Sequence, residues 1–337
     1  MPVHAMLMSN PGRLVRTALI GTFACSGWFA VASAEESSPT VNLSAKPAIT
    51  LTSATTAEAK PVTTVKLAYK FQPGQFVHYS GVSRVQYISE LQAEKYSSLQ
   101  TNETQTHFRV VTVDEQGLAL VEPVVDSTRM IAKLHDKPPV EYNSASKEEP
   151  LAEFRGIHEA IGRPVARFQV APDGKLVKAI VIDPDAPKAL RDAAERLDTR
   201  FPYLSPLPAT PVSVGDKWKE EYSITILKDG LKQPIPIRRI FELVAVADGI
   251  ARIKFRTVVQ TPLHEAELQK QVIQQTPVGT IEFDIERGLL RSYTSTINNT
   301  VINALGPQSL LNVTGESTEK LVIADAAPTA TSAVRQD

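Results

Sequence analysis

The residues able to act as acids, bases or metal ligands are few and scattered. Beyond residue 34 the histidines are His78, His107, His135, His158 and His264. None lies three to five residues from another, so the sequence offers no local metal-ligand pair. Two share a context, because His158-Glu159-Ala160 and His264-Glu265-Ala266 each precede a hairpin pattern. One reading makes them a symmetric acid/base or metal pair, the other two exposed helix dipeptides. The second is preferred, since neither extends to H-E-x-x-H. Two positioned carboxylates would suffice for glycoside hydrolysis. The candidates are Asp183 with Asp185, Glu148-Glu149 and Glu220-Glu221. The aspartates sit where a helix takes its cap, and the glutamate pairs lie in polar stretches and read as solvated. No nucleophile elbow, phosphate-binding loop or dinucleotide fingerprint occurs. No catalytic, cofactor-binding or metal residue is therefore assigned, no cofactor is implied, and the reading leans away from an enzyme. Trp218, Tyr222, Phe241, Phe255, Phe283 and Tyr293 either line a ligand cavity or form plain core, the commoner role of aromatics on strands.

Composition sets the wider frame. A chain of 337 residues with a net charge of −1 lacks the basic excess of a nucleic-acid binder. Arg13 and Arg16, the apolar run 17–31 and Ala32-Ser33-Ala34 have the form of an export signal over residues 1–34. The run is short for a membrane span, so no transmembrane segment is expected after cleavage. Cys25, the one cysteine, lies inside it. The mature chain would then be cysteine-free, without thiol catalysis or cysteine metal sites, and would be periplasmic or extracellular. Residues 35–64 and 325–337, rich in Ser, Thr, Ala and Pro, read as disordered spacer and tail.

The elements between them repeat. Residues 163–182 and 276–297 each show a Pro-Val entry, an alternating strand, a turn at Asp173-Gly174 or Arg287-Gly288, and a second strand. Each hairpin follows a short helical pattern, one with Leu151, Phe154, Ile157 and Ile161, the other with Leu263, Leu268, Val272 and Ile273. Each half opens on a glycine turn followed by an aromatic residue, Phe76 or Trp218, and long strands follow. Residues 65–71 read as a further strand, 135–150 as a loop, and 310–323 as one last strand. The halves are thus residues 65–183 and 212–324. Residues 184–211 join them through a helix over 185–201 and a proline-rich crossing.

VKLAYKFQPGQFVHY at residues 65–79, VAPDGKLV in the first hairpin, PVSVGDKW at the start of the second half and G-x-I-x-F-D-x-x-x-G-x-L over 279–290 resemble a family of secreted planctomycete-type proteins of unknown function. The resemblance implies export and a duplicated β-rich domain, and it carries no catalytic residues. The expectation is a mainly β (α+β) fold of two similar antiparallel curved sheets, each with a short helix, joined by a linking helix. The matching function is non-catalytic binding of a lipid-like ligand or an envelope protein. A hydrolase of envelope polymers with acids from both halves, or a purely structural assembly protein, are the alternatives.

Overall fold

The computed structural model describes residues 64–322 apart from 93, 189–190, 192–203 and 229. The expected signal segment, the tail, nearly all of the spacer and most of the 185–201 helix lie outside the described residues.

In the first half, β1 (Phe76–Leu91), β2 (Glu94–Val113) and β3 (Ala119–Leu134) form a meander. The expected loop after it contains a short β4 (Val140–Asn143), paired with β3. A 3-10 turn (Ala152–Phe154) then leads into α1 (Arg155–Ala160) and the hairpin of β5 (Ala166–Val170) and β6 (Leu176–Val181). The second half follows the same order. It runs β7 (Lys217–Lys228), β8 (Leu231–Ala247), β9 (Ile250–Val259), α2 (Ala266–Val272), β10 (Val278–Asp284) and β11 (Leu289–Ile302), with β12 (Ser309–Val322) added at the end.

The correspondence extends to single hydrogen bonds. Gly74 N–H donates to Val110 O and Val110 N–H to Gln75 O; Gly215 N–H donates to Leu243 O and Leu243 N–H to Asp216 O. β2 and β8 each slip register just beyond, at Val110/Thr112 and Leu243/Ala245. The two glycine hairpins are also both bulged, at Gln169/Val170 and Glu282/Phe283.

The expectation of two sheets is corrected: the strands form one open antiparallel sheet in the order β6-β5-β3-β2-β1-β12-β11-β10-β9-β8-β7. β12 is the cause. It pairs along β1 on one side and β11 on the other, filling two strand edges that would otherwise leave their amides unpaired. A second correction concerns the aromatic starts. Trp218 points to the face of the sheet that carries the core and stacks on Phe241 at 5.5 Å, whereas Phe76 lies on the opposite face beside two histidines. Counted from the shared turn, the partner of Trp218 is Val77, and one residue of offset exchanges the faces of a strand.

One core face serves both halves. Residues 65–71 are extended but make only one bridge, Val65 with Val212. Leu67, Tyr69 and Phe71 alternate into a cluster with Phe108, Phe168 and Val170 of the first half and Phe241, Ile253 and Phe283 of the second. The backbone of this segment touches both glycine hairpins in succession: Tyr69 N–H donates to Pro172 O and Lys70 N–H to Gly288 O. At the far end of the same face, Leu268 and Val272 of α2 pack on Ile224, Ile226, Ile235 and Ile237. α2 touches both β7 and β11, which have three strands between them, so this half is rolled around the helix. Gln271 fastens it by exchanging two 2.8 Å hydrogen bonds with the backbone of Leu227.

Candidate functional site

Alternation along the central strands decides what lies between these two apolar ends. On β1 the core face carries Val77 and Tyr79, then Gly81 and Ser83, then Val85 and Tyr87. Gly81 stands opposite Glu319 of β12 and Thr104 of β2, and Ser83 opposite Ser317 and Asn102. Beyond β12, Tyr293 of β11 faces Glu319 and Ser295 faces Ser317. A row of small side chains thus crosses the sheet between the clusters. Gly81, Ser83, Asn102, Thr104, Tyr293, Ser317 and Glu319 are all half-buried, as are Val85 and Tyr87 beyond them, whereas Ser295 in the row and Val77 and Tyr79 at its other end are buried. Space is open over Gly81, where an added Cβ would meet only the backbone oxygens of Thr104 and Thr318, each at 3.9 Å.

One wall of this trough is aromatic and the other polar. Trp218, Phe241, Phe255 and Tyr293 form a chain of ring contacts at 5.5, 6.2 and 5.2 Å, ending at the trough. On the far side, Asn102 Oδ1 accepts a 2.9 Å hydrogen bond from Thr128. Behind the aromatic wall is a buried charge. Arg239 lies 5.2 Å from the Phe255 ring centroid, donates from Nε to Thr257 Oγ1 at 3.2 Å, and has Glu220 4.0 Å away. Burial works against its charge, but Tyr293, Tyr222 and Glu220 outweigh that and hold the guanidinium protonated.

Glu319 has the opposite surroundings. No hydrogen bond or ion pair to it occurs among the described residues, and desolvation pushes its carboxyl up to about 7. Its charge in turn adds to the upward shift that burial imposes on Tyr69 and Tyr79. The consequence for stability has a definite sign. Between pH 4.5 and 7 the folded state holds a proton that the unfolded state has released, so stability falls as pH rises through that window. The loss approaches about 3 kcal/mol above pH 7 for a shift of this size, less what partial exposure returns. Glu319→Gln is therefore expected to match the wild type near pH 4.5 and to exceed it by roughly 2–3 kcal/mol at pH 8 in urea denaturation. An unchanged pH slope in the variant would contradict the assignment.

The sequence candidates fall apart spatially. Asp183 pairs with Arg163 at 2.5 Å and accepts from Asp185 N–H, a turn role. Glu149 lies exposed near Arg155. Of Glu220-Glu221, only Glu221 is solvated as expected, between Lys219 and Arg238. Glu220 points inward to Arg239 with its side chain 12 % exposed, a correction that follows from strand alternation. His158 contacts the Tyr142 hydroxyl at 3.1 Å, and His264 is exposed beside Glu265, which pairs with Lys228. These two His-Glu copies are engaged separately. Sequence spacing did not reveal Glu319, whose environment comes from a strand more than two hundred residues away in the chain. Nor did it reveal His78, His107 and Asp126, which meet on the opposite face.

No protein-family model matches the chain, and no curated protein does. Among solved structures it is similar to lipovitellin, in a structure concerned with lipid–protein interactions, with a TM-score of 0.43 and 12% identity. That match covers 78% of this chain but only 27% of the lipovitellin chain. A second similarity is to DynF of the dynemicin biosynthesis pathway of Micromonospora chersina, with a TM-score of 0.17 and 7% identity over 77% of this chain and 92% of that one. Neither likeness bears on what this chain binds. Among the described residues no helix is long and apolar enough to cross a membrane.

Proposed function

We propose that this is an exported, non-catalytic binding protein that takes an amphipathic small molecule on the core face of its sheet. The carrying observation is the trough itself: a half-buried carboxyl, Glu319, with no hydrogen bond or ion pair among the described residues, beside open space over Gly81. An apolar body would lie against Tyr293 and Val85, with a hydroxyl or amine meeting Glu319. A group that is costly to bury unpaired is offset when a ligand supplies the missing hydrogen bond. The hydrolase alternative needs two facing acids, and Glu220, an inward acid on β7, faces Arg239 at 4.0 Å.

Gly81→Val tests the reading. Its φ is not in the left-handed region and an added Cβ would meet nothing closer than 3.9 Å, so the strand should accept valine and gain stability of about 0.5–1 kcal/mol. The isopropyl group would at the same time occupy the trough. Titration of the full chain with a fluorescent long-chain alcohol should show saturable binding, weakened tenfold or more in the variant while its thermal unfolding is unimpaired. Equal binding by both proteins would place the ligand elsewhere.

A further inference from the structure

The outer face of the same strands carries a different chemistry. His78 of β1 and His107 of β2 are direct cross-strand partners. Their rings lie 5.3 Å apart, with Phe76 against both at 6.4 and 5.6 Å. On the other side of β2, the β2–β3 register slips between Gln105 and Thr106. Thr106 pairs with Val125 and Gln105 with Ser127, leaving Asp126 as the extra residue. A bulge of this kind re-aims a side chain, and here it brings Asp126 Oδ1 to 2.7 Å from His107 Nδ1. One donor atom from each of the three residues falls within 4.8 Å of the other two.

We propose that His78, His107 and Asp126 form a binding site for a first-row divalent cation, with Zn²⁺ the best match. Two borderline imidazoles with one carboxylate form a donor set that Zn²⁺ accepts, whereas Ca²⁺ and Mg²⁺ favour sets made of oxygen alone. Tetrahedral Zn²⁺ with bonds of about 2.0–2.1 Å needs neighbouring donors roughly 3.3 Å apart. The donors, now within 4.8 Å of one another, would reach that spacing by side-chain rotation on the existing strands. The ring nitrogens of His78 have no hydrogen-bond partner among the described residues, so a cation would supply one. A structural His107–Asp126 pair alone gives His78 no part. The nearest cation on this face of β2, Arg109, is turned toward Glu122 at 3.8 Å, which lessens its repulsion of a bound ion. Three protein donors leave a fourth position for solvent, and the ion would tie β1, β2 and β3 together behind the trough.

The test is Zn²⁺ titration of the full chain without an affinity tag, by calorimetry and by Co²⁺ visible absorption. The expected result is one saturable ion per chain and a Tm that rises with Zn²⁺ concentration. His78→Ala and Asp126→Asn, each removing a direct ligand, should weaken binding by at least about tenfold, the lower end of the cost of losing even an outer-shell partner, and both should keep wild-type circular dichroism. His78→Gln, closer in size, guards against a packing defect and should fail in the same way. Absence of saturable binding, or affinity unchanged in both His78 variants, would overturn the proposal.

Discussion

Glu220→Ala is expected to lower the unfolding free energy by about 3–5 kcal/mol, the range for breaking a buried pair by removing one partner. Arg239 would stay charged with its side chain only 10 % exposed, and Thr257, Tyr222 and the Phe255 face would be left to compensate it. The double replacement Glu220→Leu with Arg239→Met should recover most of that loss, because it leaves no uncompensated charge behind. Urea denaturation of the two variants beside the wild type measures both terms. Equal losses in the single and double variants would mean that packing, rather than charge, governs this region.

The second large effect concerns the two hairpin glycines. Gly288 has φ +65°, and a Cβ there would lie 2.5 Å from Lys70 Cβ and 2.6 Å from its backbone nitrogen. Gly174 has φ +83°, with a Cβ 2.7 Å from the Tyr69 ring and 2.8 Å from Ser205 O. Alanine at either position meets both a left-handed backbone and a clash with the 65–71 segment that crosses the two hairpins, so each should cost about 3 kcal/mol or more. Gly249 supplies the control. Its φ is +73° but nothing lies within 4 Å of an added Cβ, so Gly249→Ala should cost only the conformational term of about 1–2 kcal/mol. If all three variants lost the same amount, the close approach of the hairpins to residues 69 and 70 would not matter to stability.

These glycines mark what the sequence made legible. Turn glycines and strand alternation are local signals, and both hairpins, the order of elements in each half and the final strand follow from them. Pairing across the whole chain has no local signal. Residues 310–323 read as an added strand, and nothing in them tells that β12 would sit in the centre and fuse two meanders into one sheet. Phe76 and Trp218 looked equivalent because each follows a glycine turn; one residue of offset sets them on opposite faces. The same limitation hid both sites. Glu319 is unremarkable in its own stretch, and its surroundings are set by cross-strand neighbours such as Gly81 and Tyr293, which the stretch itself does not announce. Asp126 reaches His107 through a bulge, which is a property of a strand pair rather than of either strand.

The most direct measurement is native mass spectrometry of the protein recovered from its own cells, wild type beside Gly81→Val. A ligand held over Gly81 and Glu319 predicts a reproducible added mass on the wild type that dissociates as a small amphipathic molecule and is lost from the variant. A wild-type mass equal to the bare chain, or an adduct carried equally by both proteins, would contradict the trough as the binding site.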